Sequence, residues 1–101
     1  MDDLQNQLRG FVMEAVANDY ESFACVLEMV SQWLAERDLQ ASRDVVAAAL
    51  HRAINEGYVQ AYVLWLHEPH SQVVEFSPDR LDDLWFYLTP SGKRLVDQLQ
   101  G

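Results

Sequence analysis

Apolar residues recur at spacings of three and four from Leu4 through Leu8, Phe11, Val12, Ala15 and Val16, which predicts one helix from Asp3 to about Ala17 with a single buried face. Asn18 and Asp19 break the pattern. A second run, Phe23, Val26, Leu27, Val30, Trp33 and Leu34, predicts another helix ending near Arg37. Ser42 offers an N-cap oxygen and Asp44 a charge suited to a helix start, so a third helix begins there. Its inward stripe is Val45, Val46, Ala49, Leu50, Ala53 and Ile54, and Gly57 supplies a left-handed stop after Glu56. Gly10 interrupts the first helix, leaving either close packing or a weaker helix as its explanation.

Beyond Gly57 the period changes. Residues 58–66 are aromatic and β-branched, as a strand requires, and Leu84-Trp85-Phe86-Tyr87-Leu88 is the natural antiparallel partner. The seventeen residues between them, 67–83, are long for a hairpin connection, and Ser77-Pro78 predicts one short helical turn over 78–83. Thr89-Pro90 repeats the cap-plus-proline device, and Leu95, Val96 and Leu99 give a last helix its apolar stripe. No repeat or linker divides this order, so residues 1–101 read as a single domain.

The sequence of three helices, a strand, a wing, a strand and a helix predicts a mainly α fold with a small β-hairpin: a winged helix-turn-helix with a two-stranded, expanded wing. Ser42 to Tyr62, with Val46, Leu50, Ile54 and Gly57-Tyr58-Val59, resembles the recognition helix and first wing strand of MarR-like and PadR-like transcriptional regulators. Phe86-Tyr87-Leu88-Thr89-Pro90-Ser91-Gly92-Lys93-Arg94-Leu95 resembles their second wing strand and following helix. The resemblance covers about three quarters of the chain and implies a DNA-binding regulator, though a fold of this kind does not fix a function.

Composition changes that picture. Sixteen acids against seven bases give a net charge of -9, which repels nucleic acid and anionic lipid at long range. Residues 1–41 hold eight acids and two bases, residues 42–57 two of each, and residues 58–101 six acids and three bases. The stretch expected to read DNA is thus merely neutral, and the wing is acidic through Glu68, Glu75, Asp79, Asp82 and Asp83. The single cysteine, Cys25, sits among Phe23, Ala24, Val26 and Leu27 where a small apolar residue fits, and it points to a reduced setting. With no signal-peptide pattern at Met1-Asp2-Asp3-Leu4 and no apolar run of membrane-spanning length, the expectation is a cytoplasmic protein without a membrane partner.

Two surfaces are candidates for binding. One is the outward face of the third helix, Arg43, Ala47, Ala48, His51, Arg52 and Asn55, where Arg52, Asn55 or His51 would meet base edges and the small Ala47 and Ala48 would let a partner helix approach. The bland alternative is a solvated face with Arg52 paired to Glu56. The other surface is the face of the wing strands turned away from the core, Tyr62, Leu64, Trp85 and Tyr87, which a homodimer or another protein would cover. His67, Glu68, His70 and Glu75 are chemically able to hold zinc but lack a recognised ligand spacing, and clustered Asp79, Asp82 and Asp83 are no catalytic pair. No nucleophile elbow, phosphate loop or zinc-protease motif occurs, so neither an enzyme nor a cofactor is expected. The leading expectation is a non-enzymatic interaction module that binds protein or itself. Its rival is a sequence-specific DNA-binding regulator using residues 42–56, with a small-molecule sensor as a third class.

Overall fold

The computed structural model of the chain describes residues 3–68 and 70–100. The Leu99 side chain, expected on the last apolar stripe, lies outside the described residues, as do Met1 and Asp2. Four α-helices, α1 (Asp3–Ala15), α2 (Phe23–Ala35), α3 (Arg43–Asn55) and α4 (Pro90–Gln100), surround one face of an antiparallel sheet. The strands are β1 (Glu21–Ser22), β2 (Val59–Leu64), β3 (Ser71–Val74) and β4 (Trp85–Leu88), and a 3₁₀ turn occupies Pro78–Asp83.

Side-chain oxygens set where the helices begin. Ser22 accepts from the Cys25 N–H at 3.3 Å, Ser42 from that of Val45 at 3.2 Å and Thr89 from that of Gly92 at 3.0 Å, each satisfying a donor the helix leaves open. Ser77, expected to cap the 3₁₀ turn, makes no such bond, and Pro78 alone marks its start. Gly57 stands at φ 84° after α3, the left-handed conformation expected of it. The same conformation falls on Asp38 after α2, at φ 57°.

The core joins all layers. Leu8, Val12, Met13 and Ala15 of α1, with Val16 just after it, meet Phe23, Val26, Val30 and Leu34 of α2, Val46, Ala49, Leu50 and Ala53 of α3, and Val59, Ala61, Phe86 and Leu88 of the sheet. Leu81 and Leu84 of the 3₁₀ segment and Val96 of α4 complete it. Cys25 is the exception to the sequence expectation: it is exposed, because it lies one position before the Val26 stripe on the outer side of α2. Gly10 has nothing within 4 Å of where a Cβ would stand, so close packing does not explain it. Gly10→Ala should therefore stabilise the fold by about 0.5–1 kcal/mol through the helix backbone alone, read as a higher urea midpoint with an unchanged slope.

The two-stranded wing needs correcting to a four-stranded sheet of order β1-β4-β2-β3. Pairing of β2 with β4 is as the sequence suggests, with Tyr62 opposite Trp85 and Gln60 opposite Tyr87. The additional strands come from short stretches: Glu21–Ser22 pairs with Phe86 and Trp85, and Ser71–Val74 turns back on Leu64–Ala61. The enlarged connection is thus a β-strand and a 3₁₀ turn rather than a bare loop.

Candidate functional site

Alternation along β2 and β4 sorts their side chains onto two faces. Val59, Ala61, Phe86 and Leu88 are buried on the core side, and Tyr62, Leu64, Trp85 and Tyr87 stand together on the other, each half-buried. The register builds a row across all four strands, Ser22, Trp85, Tyr62 and Val73, with Val73 56% exposed at its end. Directly opposite residues share a face, so this row is one continuous strip. Tyr20, just before β1, closes over it with its ring centroid 5.0 Å from both Tyr62 (edge-on) and Tyr87 (tilted). At the far end of the β2–β3 hairpin Trp65 is 45% and Leu66 92% exposed. The surface that sequence alternation placed on β2 and β4 thus extends to Tyr20 and Val73, which sequence reading missed because neither lies in a long alternating run.

Aromatic crowding alters the chemistry of this face. Partial burial, with Tyr20 and Tyr87 beside it, raises the Tyr62 phenol above its ordinary value of 10.0. A raised folded-state pKa contributes stability that is complete below the unfolded value near 10.0 and is lost as pH rises through the folded value. Titration of tyrosinate absorbance should show a late step above pH 10 that Tyr62→Phe removes. Loss of an early step instead would contradict the crowding.

The other candidate surface is largely spoken for. Arg43 Nη2 lies 2.7 Å from Asp82 Oδ1 and the guanidinium covers the Phe23 ring at 5.0 Å, which ties the start of α3 to the 3₁₀ turn. His51 stacks almost parallel on Phe76, 4.4 Å between centroids, and Phe76 also approaches Phe86 at 6.4 Å. Ala47 and His51 are consequently half-buried rather than open, and with Asp44, Ala48, Phe76 and Pro78 they line a groove of about 260 Å³. Arg52, exposed as expected, reaches Glu56 at 3.7 Å, and Arg9 reaches the same carboxylate at 3.7 Å. Only Ala48, Arg52 and Asn55 of the six candidate residues remain exposed without a lid of this kind. Phe76, a lone aromatic in an acidic connection, is the residue that sequence reading missed here.

The remaining cations are also engaged. Arg37 donates to the Trp33 carbonyl at 3.0 Å and covers Phe11, Arg80 is 3.9 Å from Asp83, Lys93 lies over the Tyr87 ring at 5.2 Å, and Arg94 donates to Ser91 at 3.1 Å. All seven lysines and arginines therefore have a partner within the chain. The four ion pairs, of Arg9, Arg43, Arg52 and Arg80, are worth only about 0.2–1 kcal/mol each, and Arg37, Lys93 and Arg94 keep their charge beside a carbonyl, a ring or a hydroxyl.

No family model, curated protein or solved structure matches the chain.

An open cleft of about 540 Å³ between the ends of α1, α2 and α4 is lined by Glu14, Ala17, Asn18, Trp33, Leu88, Lys93, Val96 and Asp97, a size that suits the small-molecule class. His70 Nε2 lies 3.9 Å from Glu68, and no group of three or more potential metal ligands gathers there or elsewhere among the described residues. No helix among the described residues is long and apolar enough to cross a membrane.

Proposed function

We propose that the chain is a winged-helix interaction module without catalytic chemistry, and that it binds protein through the outward face of its sheet. The observation that carries this reading is the strip of Trp85, Tyr62 and Val73, bordered by Tyr20, Leu64 and Tyr87, on the side of the sheet away from the core. Tyr and Trp offer large contact area at small conformational cost and are enriched where proteins meet. The winged-helix part is supported by the element order and by β1 pairing with β4 beside β2, with β3 and the 3₁₀ turn as an enlargement of the wing.

The DNA-reading alternative is weaker on electrostatic grounds. Phosphate neutralisation by lysine and arginine supplies most non-specific affinity, and here both arginines of α3 already lie beside carboxylates while the net charge is -9. Phe76 also stands on the flank of α3 that would enter a groove.

Capture from an extract of the source cells, on the wild-type chain and on variants of each surface, separates the two. A partner retained by wild type and by Arg43→Ala/Arg52→Ala but lost from Tyr62→Ala/Trp85→Ala supports the proposal. Recovery of duplex DNA, abolished by the arginine changes, would overturn it.

A further inference from the structure

The sheet ends on β3, a four-residue strand with no further strand beyond it among the described residues. Trp65 donates its N–H to the His70 carbonyl at 2.9 Å, so the hydrogen-bonded positions of the ladder are 65 with 70, 63 with 72 and 61 with 74. Between them, Ser71 and Val73 direct their N–H and C=O groups away from β2, to the outer edge. Neither takes part in any turn or cap bond. Natural edge strands are usually blunted by lysine, proline or a bulge, and Ser71-Gln72-Val73-Val74 has no proline and no charge.

Resting on the sheet-face reading above, we propose that the partner adds an extended, lysine- or arginine-bearing segment to β3 as a fifth strand. Main-chain bonds to Ser71 and Val73 give such a strand its register, and every second side chain falls on the outward face beside Val73 and the Tyr62–Trp85 pair. Charge selects a cationic segment. Exposed Glu68 and Glu75 bracket the strand at its two ends, and Lys93, the one cation on this face among the described residues, lies over Tyr87 on β4, away from the β3 edge. A second copy is the poorer occupant: pairing β3 with itself so that the Val73 side chains share a face joins two chains of net charge -9.

The experiment selects ligands for the chain from a random dodecapeptide library and measures the enriched peptides by fluorescence anisotropy. Enrichment of peptides alternating apolar residues with lysine or arginine is expected. Val73→Pro and Ser71→Pro, which delete outward N–H groups but none used by β2, should each weaken binding about tenfold, as should N-methylation of alternate peptide amides, which leaves the chain's folding untouched. Glu68→Gln/Glu75→Gln should weaken it several-fold and flatten its dependence on salt. Peptides that ignore both prolines and the N-methyl groups, yet are lost with Tyr62→Ala, would overturn strand addition and leave the face reading standing. Enrichment of acidic peptides or of none would overturn the cationic strand, and the face reading is then decided by capture with Tyr62→Ala/Trp85→Ala. A dimer by light scattering that Val73→Pro dissociates would assign the edge to a second copy and likewise overturn the proposal.

Discussion

Replacing Phe86 by alanine should cost about 3–5 kcal/mol, a large part of the 5–15 kcal/mol available to a domain of this size. Phe86 is wholly buried on β4, the strand held between β1 and β2, and its neighbours across the sheet are Ala61 and Glu21. Ala61 is too small to refill the space, so most of the cavity would persist. Urea unfolding followed by far-UV dichroism reads the loss directly. The result also decides which way the sheet faces, since a one-residue slip would turn Trp85 and Tyr87 inward and Phe86 outward. A loss below about 1 kcal/mol for Phe86→Ala, with a larger one for Trp85→Ala, would reverse the two faces and remove the basis of the proposed surface.

Gly92→Ala should destabilise by about 1–3 kcal/mol, although alanine is the better helix former. Gly92 lies in the first turn of α4, where an added Cβ would run into the Tyr58 backbone carbonyl and come within 2.7 Å of Leu88 Cδ1. Tyr58 O cannot easily retreat, because it already accepts the Thr89 N–H at 2.9 Å, while the Thr89 hydroxyl donates to Gly57 O at 2.6 Å. One turn therefore joins the end of α3, the start of β2 and the start of α4. Thermal melting should show Gly92→Ala and Gly10→Ala moving in opposite directions, and a stable Gly92→Ala would mean that α4 packs further from the sheet.

The sequence showed the helices well because their signals are local. Ser42, Gly57 and Thr89-Pro90 act within one turn of themselves, and the apolar stripes of α1 to α3 repeat often enough to define a face. β1 and β3 were not legible for the opposite reason. Glu21–Ser22 is two residues without a period, and Ser71–Val74 becomes a strand only because β2 offers an edge to pair with. The alternating Tyr62, Leu64, Trp85 and Tyr87 were readable as one face, but their extension to Tyr20 and Val73 depends on pairing between distant segments. The stacking of Phe76 on His51 is tertiary in the same sense, and it converts a helix face expected to be open into one that is partly covered.

These features change what the acidic balance means. Net charge alone disfavours nucleic acid, but a locally basic helix can overcome it. Here Arg43 is paired with Asp82, and Arg52 shares Glu56 with Arg9, so the neutral stretch around α3 presents little positive charge of its own. The apolar surface lies on the sheet, beside an edge bracketed by carboxylates.

Fluorine NMR of the chain carrying fluorotryptophan at positions 33, 65 and 85 reads which surface a partner covers, because Trp85 lies on the outward strip, Trp65 at the hairpin end and Trp33 in the cleft near α4. On adding the captured partner, the Trp85 resonance should shift or broaden while that of Trp33 stays in place, and random duplex DNA at low salt should move none of them. A partner that moves Trp33 and leaves Trp85 unchanged would put the binding surface at the α1–α2–α4 cleft and not on the sheet.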